Sequence, residues 1–258
     1  MNINNQHSRR VTELTGNLDL YPNSFEVISL RRTLVSNPVV AKISSGGINA
    51  DFTGTDFEDG TVLNFVGNNP HFLKGLYGHN TGAYFEASNQ NIIVVSNNEL
   101  ITINNHPSWY MPGNSYFSST PLNNINSAFI KAQTTNDVNI GYVFYQTGNS
   151  TYNNGGMWLN GYNPAVNGIG LYINPGYINS GIEDFDPHYA TFINDNSNSN
   201  IYVDGNLSAS GISRNYNINT IGRNQNGLSV KGKVAEMVFY QTDETLNRIA
   251  IETTIKTY

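Results

Sequence analysis

Six dipeptides, Asp59-Gly60, Asn154-Gly155, Asn160-Gly161, Asn167-Gly168, Asp204-Gly205 and Asn226-Gly227, break the chain at short intervals. Glycine accepts the left-handed backbone that a two-residue reversal needs, and Asn and Asp tolerate it better than other L-residues. Each pair therefore favours a tight turn of the kind that joins antiparallel strands. Asparagine carries much of the polar work, at 42 of 258 residues, while charged residues make up only 12%. Between the turns lie short strand candidates: Val39–Ser44, Asn91–Val95, Ile101–Ile103, Ala128–Gln133, Asn139–Gln146, Ile169–Ile173, Tyr189–Asn194, Ile218–Gly222 and Lys233–Tyr240. The clearest hairpin is Asn200–Ala209, with Asp204-Gly205 at its tip. Many short strands without alternating helices predict an all-β sandwich and argue against a parallel α/β sheet. Sixteen Tyr, 12 Phe and 2 Trp supply the area for its core.

Two segments read as helices that close the ends of the sandwich. Pro22 stands where a first-turn proline belongs, and Phe25, Ile28 and Arg32, with Val27, Leu30 and Leu34, recur at helical spacing. Near the C-terminus, Thr242 or Asp243 can cap a helix carrying Leu246, Ile249, Ala250, Ile251, Ile255 and Tyr258. Residues 1–21 resemble no later segment. With the basic pair Arg9-Arg10 they are expected to form an arm that either lies on the domain's own surface or docks on a neighbouring subunit as an assembly anchor, leaving 22–258 as one domain.

Composition narrows the partners. A net charge of −6 with 13 scattered Lys and Arg argues against nucleic acid. No apolar run reaches the roughly 18 residues that a membrane helix requires, and the first residues lack the apolar core of a signal peptide. The absence of cysteine excludes a disulfide framework, a thiolate metal site and a cysteine nucleophile.

Several stretches resemble one family in order. Ser24–Leu34 resembles the "AYSLRRL" helix of concanavalin A-like (laminin-G-like) domains found in bacteriophage virion proteins and in arabinofuranosidase-B-type proteins. Pro38–Gly46 is similar to their "GPAVRVRRSSD" strand, and Ala50–Gly67 to their "DFTADEI-DGTLLDFVG" segment. The C-terminal third, from the Asp204-Gly205 hairpin through Val230–Tyr240, resembles their closing strand and helix. Where the family commonly carries "TWYDQSGNG", this chain has Gly75–Gly82, with Leu76 in place of the Trp and Gly78-His79 in place of the Asp-Gln pair. The resemblance implies a concanavalin A-like jelly-roll sandwich of two antiparallel sheets, with a short N-terminal and a C-terminal helix. It also implies a virion structural protein (capsid decoration, head fibre or tail component), made in the host cytoplasm without a signal peptide. Its partners would be other virion proteins, further copies of itself, and cell-surface or environmental glycans. The alternative is a free or tail-borne lectin module.

Catalytic signatures are sparse. The Glu-x-Asp-x-x-Glu strand that marks concanavalin-like glucanases is absent, as are a nucleophile elbow, a phosphate-binding loop and a zinc-hydrolase pairing of His7, His71, His79, His106 and His188. The expectation is therefore a protein that is not an enzyme and requires no cofactor, with a glycan depolymerase as the weakest alternative. Asp184 and Asp186, beside Glu183 and His188, are the candidate metal ligands, with Ca²⁺ as the ion that oxygen-rich loops hold. A second acidic group is Asp51, Asp56, Glu58 and Asp59. A sugar needs an aromatic face and a few polar side chains, and the candidates are Trp109, Tyr110, Trp158, Asn160 and Tyr162, with Tyr116, Phe117, Tyr172 and Tyr177 in support.

Overall fold

The computed structural model describes residues 21–31, 37–134, 141–145, 155–159, 169–173, 176–182, 184–213, 216–223 and 230–257. The strands in chain order are β1 (Glu26–Ser29), β2 (Val39–Ser45), β3 (Ile48–Thr53), β4 (His71–Tyr77), β5 (Tyr84–Ala87), β6 (Val95–Ser96) and β7 (Glu99–Leu100). They continue with β8 (Thr102–Ile103), β9 (His106–Pro107), β10 (Trp109–Pro112), β11 (Phe117–Ile125), β12 (Ser127–Thr134), β13 (Gly141–Tyr145) and β14 (Gly155–Leu159). The last are β15 (Gly170–Ile173), β16 (Gly176–Asn179), β17 (His188–Asn194), β18 (Asn198–Val203), β19 (Asn206–Ile212), β20 (Tyr216–Ile221) and β21 (Lys231–Tyr240). Helical turns α1 (Gly54–Glu58) and α2 (Thr61–Val66) follow β3, and α3 (Arg248–Thr257) comes last. Among the described residues no helix is long and apolar enough to cross a membrane.

Two antiparallel sheets make the sandwich. One runs β1-β21-β12-β17-β18-β19, with β10 also on β21; the other runs β16-β15-β14-β13-β20-β11-β5-β4-β2-β3. Side chains alternate across a pleated sheet, so each sheet has an inner and an outer face. Val234, Met237, Phe239, Ile130 and Phe192 of the seven-stranded sheet meet Phe52, Leu76, Phe85, Phe117, Ile221, Met157 and Leu171 of the ten-stranded sheet in one core. The outer face of the seven-stranded sheet carries Val27, Phe129, Ile193, Val238 and Tyr240, and these pack on Ile251 and Ile255 of α3. Three of the four sheet faces are thus packed against apolar partners. The outer face of the ten-stranded sheet is the fourth.

The all-β expectation holds, and so does the closing helix. The expected N-terminal helix does not form. Residues 26–29 instead make β1, paired antiparallel with β21 from Glu26↔Phe239 to Ser29↔Glu236. All four are buried, because Val27 faces the helix-covered side while Ile28 faces the core. That two-sided burial favours an extended strand over the helical spacing, which leaves one face to solvent. At the C-terminus, Asp243 accepts hydrogen bonds from Thr245 N and Oγ1 at 2.9 and 2.6 Å in a turn before α3, which starts only at Arg248, later than either capping residue suggested.

Of the six turn dipeptides, Asp59-Gly60 and Asp204-Gly205 lie wholly within the described residues, and the other four lie at least partly outside them. Asp204 and Gly205 both have positive φ (50° and 85°) between Val203 and Asn206, which pair with each other. Asp59-Gly60 differs from the hairpin expectation, since it links α1 to α2. Two asparagine pairs went unread: Asn97-Asn98 and Asn104-Asn105 have φ between 50° and 69° and close the β6–β7 and β8–β9 hairpins. The first 20 residues, with Arg9 and Arg10, lie outside the described residues. Tyr21, at the end of the expected arm, is buried against β21 and α3.

Charged groups are buried beneath α3. Arg31 pairs with Glu236 and also donates to Tyr21 Oη at 3.3 Å. Lys131, across from Glu236 in register, donates to the Ile255 carbonyl in the last turn of α3 at 3.1 Å. Burial pulls the Lys131 ammonium down to about 8 against the opposing pull of Glu236. His106 is pushed down to about 3 by burial, with Arg31 and Lys131 adding repulsion, so it is neutral. Removing one member of a buried ion pair leaves the other charge without compensation. Arg31→Met is therefore expected to lower unfolding stability by about 3–5 kcal/mol, measured by urea titration, and Glu236→Gln should give a loss of the same sign.

Candidate functional site

The outer face of the ten-stranded sheet, which has no apolar cover among the described residues, can be followed residue by residue through its register. Lys42 pairs with Asp51 on one side and Gly75 on the other. Gly75 pairs with Glu86, Glu86 with Ser118, and Ser118 with Thr220. Backbone pairing carries the same row on through Tyr145, Gly156, Tyr172 and Tyr177. Asp51, Glu86 and Ser118 are exposed and Lys42 half-buried, while Thr220 is buried. The flanking positions in these strands, Phe52, Ala41, Leu76, Phe85, Phe117 and Ile221, all enter the core.

Two tyrosines stand together in this face. Tyr77 and Tyr84 are paired in register, with ring centroids 4.8 Å apart and planes inclined at 42°. Tyr84 lies over Gly75, where an added Cβ would come within 2.3 Å of the ring, so the glycine is what lets the ring lie against the sheet. Tyr84 Oη donates to the Lys74 carbonyl at 3.2 Å, and Tyr77 Oη donates to Asp51 Oδ1 at 3.3 Å. Lys42 Nζ stands 3.7 Å from the same Asp51 oxygen. Burial raises the Tyr84 phenol to about 12, helped by Tyr77 and by the carboxylates of Glu86 and Asp51. The group is an aromatic platform bracketed by two carboxylates and an ammonium. Sugars match such a surface, because a sugar ring has an apolar C–H face and a polar rim of hydroxyls.

The aromatic residues expected to bind sugar fare differently. Trp109 is fully buried and meets Phe117 edge-on at 6.4 Å, so both fill the core and present no face to a ligand. The alternation of β10 dictates this, since Trp109 and Met111 point inward together. Tyr110, between them, is half-buried and lines a surface cleft. Trp158 lies in β14, its backbone paired with Tyr142 and Gly170, and its side chain is outside the described residues, as are Asn160 and Tyr162. Tyr77, Tyr84, Lys42 and Glu86 were not anticipated. The strict alternation of Tyr84-Phe85-Glu86 and of Gly75-Leu76-Tyr77 was the available signal.

Gly78 answers a local constraint. A Cβ on Gly78 would fall 2.2 Å from the carboxylate of Glu26, which is fully buried. Glu26 accepts hydrogen bonds from Asn80 N at 2.8 Å, Thr81 N at 3.2 Å and Thr81 Oγ1. A carboxylate from β1 thus occupies the turn from beneath and tethers it to the sheet.

The acidic candidates are also engaged. Asp56 accepts from Thr53 N and Oγ1, both at 2.7 Å, at the start of α1, and Asp59 accepts from Thr61 N at 2.9 Å. Asp184 Oδ1 bonds His188 Nε2 at 2.6 Å and accepts from Asp186 N at 3.0 Å; His188 Nδ1 bonds Asp204 Oδ2 at 2.6 Å. His188 therefore bridges the 184–188 loop to the β18–β19 turn. Among the described residues no group of three or more His, Asp or Glu side chains is arranged to hold a metal ion. The hydrogen bond to Asp204, with that to Asp184, raises the His188 imidazole to about 9 against the effect of burial. Burial acts to raise Asp184, but the bonds from His188 and the Asp186 amide outweigh it and hold the carboxyl low.

No protein-family profile and no curated protein sequence matches the chain. Solved structures do. An arabinofuranosidase complexed with arabinofuranosyl-α-1,2-xylobiose superposes with a TM-score of 0.62 and 13% identity, covering 94% of this chain and 65% of that one. A mutant of a GH54 α-L-arabinofuranosidase soaked with 4-nitrophenyl α-L-arabinofuranoside gives 0.67 and 13%, over 94% of this chain and 66% of that one. Domain 4 of AbnA, an extracellular GH43 arabinanase from Geobacillus stearothermophilus, in complex with arabinotriose, gives 0.50 and 15%, over 68% and 91%. The chain spans just under two thirds of the length of the arabinofuranosidases it matches. At these identities the likeness establishes a shared fold, a β-sandwich of antiparallel sheets. It also corrects one expectation. Structures followed over 94% of this chain are glycosidases, so the missing glucanase string does not make the chain a non-enzyme.

A pH dependence follows from His188. Its folded pKa of about 9 lies above the unfolded value near 6.5, so its contribution is complete below about pH 6.5 and is lost as pH rises through 9. Urea midpoints of the native protein are expected to fall between pH 7 and 10 more steeply than those of His188→Gln. Parallel curves would remove the bridge from the account of stability.

Proposed function

We propose that the protein binds a glycan across the outer face of the ten-stranded sheet. Tyr84 and Tyr77 form the platform, and Asp51, Lys42 and Glu86 receive the hydroxyls. The observation that carries this reading is the paired tyrosine surface on a sheet face that, among the described residues, has no apolar cover, bracketed by charged side chains. The related sandwiches crystallised with arabinose-containing saccharides make pentose oligomers the first ligands to try. Calorimetric titration with arabinotriose tests it. Tyr84→Ala should weaken binding at least tenfold, about 1.4 kcal/mol, and Gly75→Ala should weaken it too, because the new methyl displaces the ring. Unchanged affinity in both variants rules the platform out.

A second reading is glycoside hydrolysis on the same face. It is favoured by the glycosidase neighbours and by the exposed Asp51 and Glu86 beside the platform. Hydrolysis uses two carboxylates about 5–9.5 Å apart, and these two stand three strand spacings apart, roughly 14 Å between backbones. Catalysis by this pair therefore needs their side chains to converge over Gly75. Release of arabinose from arabinotriose that stops in Asp51→Asn and in Glu86→Gln would support this reading; the absence of release would reject it.

The setting we infer is a phage virion, supported by the ordered resemblance across Ser24–Leu34, Pro38–Gly46 and Ala50–Gly67. Mass spectrometry of purified particles should detect the protein, and its absence there would remove the virion from the proposal.

A further inference from the structure

A cleft of about 440 Å³ opens beside β10, away from the platform just described. Tyr110, Lys233, Leu100, Glu99, Asn97 and Thr102 contribute to its walls. Its position follows from register. Tyr110 pairs with Lys233, whereas the adjacent pair Trp109 and Val234 is fully buried in the core. Tyr110 and Lys233 consequently belong to the outer side of the seven-stranded sheet. The cleft and the Tyr77–Tyr84 platform lie on opposite sides of the sandwich, separated by two sheets packed about 10 Å apart. The facing wall is the β6–β7 hairpin, which the left-handed Asn97-Asn98 turn folds back so that Ser96 and Glu99 pair.

The side chains specify a ligand chemistry. The half-buried Tyr110 ring and Leu100 offer an apolar surface. Lys233 Nζ donates one hydrogen bond to the Thr102 carbonyl at 3.3 Å, which fixes the ammonium in the wall with donors remaining, since an ammonium has three. Glu99 is exposed on the hairpin and supplies an acceptor-only carboxylate. An ammonium and a carboxylate in one cleft cancel in charge and favour a neutral ligand. A vicinal diol suits both, because its hydroxyls can accept from Lys233 and donate to Glu99 together, while the C–H face of the ring rests on Tyr110. The volume falls within the 300–1,000 Å³ of ordinary small-ligand sites. From this arrangement we infer a second saccharide site that takes a neutral sugar residue with a free vicinal diol, so that one chain holds two glycans on opposite faces.

A printed panel of neutral oligosaccharides that includes arabinotriose, with an oligogalacturonide as the acidic counterpart, followed by calorimetry on the best ligand, tests this. The expected result is two ligands per chain, reduced to one in Tyr110→Ala and in Glu99→Gln, with Tyr84→Ala retaining the cleft site. Glu99 is exposed at a hairpin, so its variant reports on binding even if Tyr110→Ala folds poorly. A single site abolished by Tyr84→Ala and indifferent to both cleft variants overturns the inference and leaves the platform standing. A single site lost in the cleft variants but not in Tyr84→Ala supports the cleft and overturns the platform. Preference for the oligogalacturonide overturns the assigned ligand class, and no binding by the native protein overturns both sites.

Discussion

The ten-residue strand β21 organises this sandwich. It pairs with β1, β10 and β12, and seven consecutive residues along it are buried. Extended backbone can bury consecutive residues only if both faces are covered. Met237 and Phe239 accordingly face the core between the sheets, while Val238 and Tyr240 face α3. The need to cover that second face draws α3 onto the seven-stranded sheet. Among the described residues no equivalent apolar row exists on the outer side of the ten-stranded sheet, where Lys42, Asp51, Glu86 and Ser118 alternate with core residues. The difference between a closed sheet and an open one is thus a difference of pattern, alternating in one and continuous in the other.

Charge is handled differently on the two sides. Beneath α3, Glu236 has Arg31, and Lys131 has a helix carbonyl, so desolvation is offset by specific partners. Glu26 is held in a similar way by the amides of a turn. On the open sheet, the charges of Lys42, Asp51 and Glu86 remain near water, where their contribution to stability is small and their availability to a ligand is greater.

Fold class was legible because it rests on local, repeated signals. Asp204-Gly205, the strands around Ile130 and Phe192, and the Ile251–Ile255 helix face each follow from a short window. The failures came where a distant partner decided the outcome. Val27 and Ile28 suit a helix until β21 arrives to pair with them, and Trp109 looks like a sugar platform until the parity of β10 turns it inward. The platform was hidden for a related reason. Tyr77, Tyr84 and Asp51 come from three strands and meet only through sheet register, and no motif within a single segment reports such a meeting.

The pairing of β1 with β21 has a consequence for biosynthesis. Arg31 and Glu236 are 205 residues apart, so the edge that β1 forms cannot be completed while the intervening chain is still emerging from the ribosome. Until then Val27 and Ile28 have no strand to bury them, and the nascent chain carries an unpaired sticky segment until β21 has emerged. Folding of the seven-stranded sheet is consequently a late, long-range event, of the kind that proceeds slowly and exposes intermediates to aggregation. Yield in a heterologous host should then depend on translation rate and chaperone supply more than on the final stability of the sandwich.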